Sequence, residues 1–191
     1  ILLLAILGAS IISCDKLDEV VYSSLTDANA FTTGENAQAA VNSIYAPLRS
    51  LYREPMFYIN DIAADTGFKD GNCFEVMNDE ANYVDNRTET AWTLLTQIAA
   101  RANIVIDKVP QMSDGLFRNG ITKEQLLGEA YFMRAFAYMN LTDIFYRVPL
   151  ITDSNIDPTA KEPLASVKDI EKQIESFREG DRINDVYLCK F

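Results

Sequence analysis

From Leu126 to Arg147 the chain reads LLGEAYFMRAFAYMNLTDIFYR, a run long enough for several helical turns and apolar around much of its circumference. A helix with that pattern cannot lie on a surface with one side in water. It demands neighbours on more than one side. Gly128, Ala130, Ala135 and Ala137 allow other helices to approach closely, while Tyr131, Phe132, Phe136 and Tyr138 are suited to fill wider gaps. Just before it, Thr122-Lys123-Glu124-Gln125 offers a capping box, in which the threonine hydroxyl accepts from an orphan amide and the glutamine reaches back.

The neighbours it needs are also written in helical period. Thr32-Thr33-Gly34-Glu35 offers a capping box ahead of Ala37, Ala40, Val41, Ile44, Tyr45, Leu48 and Leu51, with Pro47 expected to kink or break that helix. Thr90 to Val109 places Trp92, Leu95, Ile98, Ala102, Val105 and Val109 along one face and stops at Pro110, so Trp92 reads as a packing anchor. After a proline-containing connection from Val148 to Ala165, Ser166 opens a segment with Val167, Ile170, Ile174 and Phe177 at helical spacing. The fold class is all-α. Leu127-Gly128-Glu129-Ala130-Tyr131 fits the L-G-x-x-Y part of the tetratricopeptide pattern, but its later Ala, Phe and Pro positions are out of register. Stacked helix pairs and a plain bundle both remain open.

Tyr52 to Glu89 has no sustained helical period and reads as a long irregular loop insertion, of the kind that is usually functional or disordered. It combines rings with amides and carboxylates. A ring stacks on the apolar face of a sugar while polar groups fix its hydroxyls, so Tyr58, Asp65, Phe68, Asn72, Phe74 and Tyr83 are the candidate ligand-binding residues. The alternative is that these rings pin the loop to the helices.

At the other end, ILLLAILGASIIS precedes Cys14 without a charged residue. The run is shorter than the roughly 20 residues a membrane-spanning helix needs. Residues 1–13 therefore read as the apolar core of a lipoprotein signal peptide, with Cys14 as the lipidated first residue of the mature protein. A buried helix ending by chance in Ser-Cys is the alternative. Residues 14–30, beginning Asp15-Lys16-Leu17-Asp18-Glu19, read as a tether, and residues 31–178 as the helical domain.

A net charge of -11 opposes contact with nucleic acid. The chain has no histidine, which removes His-dependent nucleophilic catalysis and His-ligated zinc. No carboxylate pair is picked out by spacing, Asp65 to Asp70 misses the calcium-loop pattern, and no catalytic residue, metal or cofactor is expected. Cys73 and Cys189 could pair in an oxidising envelope or be unrelated thiols.

The segment Leu127 to Tyr138 followed by Val148-Pro149-Leu150-Ile151 closely resembles the GEAxFLRAFAYF...VPLI signature of the SusD/RagB nutrient-binding outer-membrane lipoproteins. Phe31-Thr32-Thr33, Asp61-Ile62-Ala63-Ala64-Asp65 and Ala102-Asn103-Ile104-Val105-Ile106 follow the same order. The resemblance implies tetratricopeptide-like helix pairs and a surface-facing, lipid-anchored protein of the outer membrane. It further implies binding of an oligosaccharide or other nutrient, handed to a SusC-like TonB-dependent transporter, with no catalysis. Glu129 and Arg134 fall in the signature and are expected to pair with neighbouring helices. Family members are much longer, and residues 179–191 lose the helical pattern, so an aberrant or truncated end is expected. A chain of this extent is not expected to bind glycan as intact relatives do, because faces meant for missing partners would be exposed. A scaffold that binds the transporter without its own sugar site is the competing function. A carboxylate-based glycosidase would need two acids about 5 to 10 Å apart across a cleft.

Overall fold

The computed structural model describes residues 30–62, 86–155 and 161–180. Four α-helices form the body: α1 (Gly34–Arg53), α2 (Asn86–Lys108), α3 (Lys123–Phe145) and α4 (Val167–Gly180). A π-helical segment, Phe57–Ile62, follows α1, and short 3-10 turns at Val109–Gln111 and Asp114–Leu116 lead from α2 towards α3. No strand occurs among the described residues, which carry one isolated bridge between Pro149 and Leu164.

Side-chain pairs fix the helix directions. Arg101 reaches the Ser43 carbonyl and Arg87 lies 4.0 Å from Glu54, so α2 runs antiparallel to α1. Asn103 pairs with Arg134 and Trp92 with Phe145, so α3 turns back along α2. Tyr45 meets Glu129 and Tyr52 meets Phe136, which sets α1 and α3 side by side and parallel. Two successive helix hairpins with like helices adjacent give the tetratricopeptide-like arrangement. The core is one cluster, in which Val41, Ile44 and Leu51 of α1 meet Leu95, Ile98 and Val105 of α2. Leu126, Met133 and Leu141 of α3 and Ile170 of α4 complete it. The apolar circumference of α3 is thus accounted for, since α1, α2 and α4 all pack on it. One stripe escapes. Phe132 and Met139, expected or free to fill gaps, are 53% and 47% exposed.

Helix ends follow local chemistry, with a shift at α1. Its cap is Thr33, extended at φ -140°, whose hydroxyl accepts from the Asn36 N–H at 3.1 Å. Glu35 does not close the expected box with Thr32; it accepts from Asn119 at 3.0 Å. The loop before α3 crosses tightly over this end, so that a Cβ on Gly34 would stand 2.9 Å from the Leu116 carbonyl oxygen. Thr122 caps α3, accepting from the Gln125 N–H at 3.2 Å, but the Gln125 side chain makes no return bond among the described residues, so the box is half formed. Ser166 and Asp169 bond reciprocally at the start of α4, at 3.2 and 2.6 Å.

Pro47 neither breaks α1 nor ends it. Lacking an N–H, it leaves the carbonyl four residues earlier without a helical donor. That carbonyl belongs to Ser43, and the Arg101 guanidinium takes the vacant place. Two boundaries differ from expectation. α2 begins at Asn86, four residues before Thr90, and part of the irregular stretch, Phe57–Ile62, is π-helical.

Candidate functional site

Of the expected ligand residues, Tyr58 is described; Cys14, Asp65, Phe68, Asn72, Phe74 and Tyr83 lie outside the described residues, as do Cys73 and Cys189. Tyr58 sits half-buried in the π-helical segment. The Arg87 guanidinium covers one face of its ring, 4.2 Å from the centroid, and Phe57 abuts it edge-on at 5.7 Å. The ring fastens this segment to the start of α2, the alternative weighed for the loop aromatics.

A groove lies elsewhere, between α2 and residues 148–154 and 162. It is open to solvent along one side and has a volume of about 610 Å³, within the usual range for small-molecule sites. One wall is a stripe of α2: Trp92, Thr96, Ala99, Ala100 and Asn103. The small residues in its middle open the space that larger ones would fill. The opposite wall is Val148, Pro149, Ile151, Ser154 and Glu162, with Tyr138 and Leu141 of α3 at the floor.

The floor is held by a polar network. The Tyr138 hydroxyl donates to the Ile151 carbonyl and accepts from the Ile151 N–H, both at 2.8 Å, a two-point clamp on the backbone of the wall. Asn103 donates to the Ile151 carbonyl at 2.9 Å and accepts from Arg134 at 3.1 Å, which fixes its amide orientation. Ser154 is tied to Asp107 at 2.8 Å. Burial raises the Tyr138 pKa above the ordinary phenol value, against the lowering effects of the Ile151 bond and Arg134. Burial also lowers the Arg134 guanidinium pKa, and Tyr131 and Tyr138 oppose that. Lys108 first, then Ser154, hold the exposed Asp107 carboxyl below its usual value.

Arg134 thus pairs with a neighbouring helix, as does Glu129, which accepts from Tyr45 at 3.4 Å. The polar groups left for a ligand are different ones. Gln97 and Glu162 line the groove and make no hydrogen bond among the described residues. Trp92 has a double part, edge-on to Phe145 at 4.9 Å while lining the groove and half-buried. Its packing role was legible; the groove beside it was not, because its other wall comes from sequence some fifty residues away. Glu162 is the one carboxylate among the lining residues, and no cluster of potential metal ligands occurs among the described residues.

The family model for SusD-like proteins, described as starch-binding and associating with the outer membrane, matches residues 17–179. The chain belongs to the SusD-like family. SusD-like protein P38 of Formosa agariphila is 27% identical over 165 residues, which cover 83% of this chain and 31% of that protein. A protein crystallised with a xylogluco-oligosaccharide superposes with a TM-score of 0.62 at 23% identity, covering 75% of this chain and 28% of its own. A SusD superfamily protein of Bacteroides thetaiotaomicron gives 0.61 at 17% identity, with 78% and 35% covered. These similarities establish the SusD fold. The chain spans about a third of the length of each of these three proteins.

Proposed function

We propose that this chain captures an oligosaccharide in the groove between α2 and the facing residues 148–154 and 162, for uptake across the outer membrane. The observation that carries the reading is the groove itself: one large ring, Trp92, lines a space of about 610 Å³ bordered by Gln97 and Glu162, whose side chains make no hydrogen bond among the described residues. An indole stacks on the apolar face of a pyranose, and an amide and a carboxylate bond its hydroxyls. The oligosaccharide in the similar crystal structure supports the ligand class. Lipid on Cys14 anchors the protein to the outer membrane, facing outwards, and a SusC-like TonB-dependent transporter receives the ligand. With one stacking ring and two polar side chains on offer, the expected affinity is about millimolar, roughly -4 kcal/mol.

Saturation-transfer NMR with maltoheptaose and with xyloglucan heptasaccharide tests this. Binding of either sugar by the wild-type chain and its loss in Trp92→Ala is the expected result. Undiminished binding by Trp92→Ala would place the sugar elsewhere, and no binding of either would remove the reading. The second reading, a transporter-binding scaffold without a sugar site, draws on Tyr58, one face of whose ring is taken by Arg87.

A further inference from the structure

Arg134 is the charged side chain of the buried set among the described residues, with 8% of its surface exposed. A guanidinium carries a full charge and five N–H donors. Arg134 makes one hydrogen bond among the described residues, from Nη1 to the Asn103 Oδ1 at 3.1 Å, and the Tyr131 ring lies 5.2 Å from its guanidinium carbon. Neither partner is an anion. Burial lowers the Arg134 pKa, and the influences set against it come from Tyr131 and Tyr138, with no carboxylate contributing. A buried charge without a counter-charge is costly.

The same side chain lines a small cleft between α3 and α4. Tyr131, Ala135 and Tyr138 join it on the α3 side, and Gln173 and Ile174 of α4 form the other wall. The cleft has a volume of about 10 Å³, room for one occupant of about water's size. No carboxylate lines it, and Asp169, Glu171 and Glu175 of α4 are exposed. The Tyr138 hydroxyl is committed to Ile151 both as donor and as acceptor, so the charged donors at the cleft are those of Arg134. Water there would satisfy the donors and leave the charge. An anion answers both needs, and the space excludes polyatomic ones such as phosphate.

We infer that the cleft binds a single chloride ion, which neutralises Arg134 and ties α4 to α3. The net charge of -11 works against any anion, but exposed carboxylates are screened over about 8 Å at physiological salt, whereas the guanidinium would touch the ion directly.

The whole chain is melted in sodium chloride and in sodium gluconate at equal ionic strength, gluconate being too large for the cleft, and chloride NMR linewidths are read alongside. Chloride at ten times its Kd multiplies the folding constant about tenfold, so the wild-type Tm should stand about 4 °C higher in chloride. The chloride line should also broaden beyond that of buffer. Ala135→Val fills the cleft and keeps the guanidinium, whereas Arg134→Met removes the charge; both should lose the broadening and the chloride-specific rise in Tm. A wild-type line as narrow as that of Ala135→Val, or a chloride response that persists in Ala135→Val, overturns the site. Ala135→Val decides the matter even if Arg134→Met fails to fold.

Discussion

The link between Pro47 and Arg101 gives a quantitative test of the helix packing. Pro47 deprives the Ser43 carbonyl of its helical donor, and the Arg101 guanidinium replaces it from the facing helix. A hydrogen bond from a charged donor contributes about 1.5–3 kcal/mol. Ser43 is exposed and Arg101 half-buried, so screening reduces this to about 1 kcal/mol. Arg101→Met, which keeps the aliphatic stem, should therefore lose about 1 kcal/mol. In Pro47→Ala the alanine N–H reclaims the carbonyl. That substitution regains about 3 kcal/mol of interior proline penalty, of which the Arg101 bond already offsets about 1 kcal/mol, and loses about 1.6 kcal/mol of buried ring, so stability should change by less than about 1 kcal/mol. On this background Arg101→Met should cost almost nothing. Urea denaturation of the four proteins gives the cycle, with an expected coupling of about 1 kcal/mol. Additivity within about 0.3 kcal/mol would refute the reasoning.

Gly34→Ala should gain about 1 kcal/mol from helix propensity, yet the new Cβ would sit 2.9 Å from the Leu116 carbonyl oxygen and 3.2 Å from Phe117 Cα, both backbone. A net loss of about 1–2 kcal/mol in chemical denaturation is expected, and a gain would show that the crossing loop moves aside freely. Tyr138→Phe removes both bonds to Ile151 and should cost about 1–2 kcal/mol. Because the folded-state pKa of Tyr138 is raised, its contribution is complete below the unfolded value of about 10 and is lost as pH rises through the folded value. The alkaline decline in stability should be shallower in Tyr138→Phe; an unchanged decline would remove Tyr138 as a source of it.

The helices were legible wherever an apolar period marked a buried face. They were not legible where that period was silent. The first turn of α2, Asn86 to Glu89, is polar throughout, so the apolar stripe begins only at Ala91 and the helix was placed late. Phe57–Ile62 is too short to show a period. Adjacent Thr32 and Thr33 are equally good caps on paper; the backbone geometry chose the second, and the loop through Asn119 drew Glu35 away. In α3 an apolar circumference showed that several neighbours were needed, but it could not tell which face stays open at Phe132 and Met139.

Site residues were harder because the groove joins segments distant in sequence. Asn103 and Tyr138 fall in recognisable motifs, yet their engagement through Ile151 depends on where the connection returns. The positive φ of Tyr146, 66°, has no glycine or asparagine to announce it in the sequence.

Trp92 is the only tryptophan of the chain, so its emission reports on the groove alone. Titrating the wild-type chain with maltoheptaose and xyloglucan heptasaccharide, with excitation selective for tryptophan, measures the central claim directly. Glycan stacked on Trp92 should give a saturable blue shift with a millimolar midpoint that matches the NMR titration. Sugar binding by NMR with no change in Trp92 emission would contradict it.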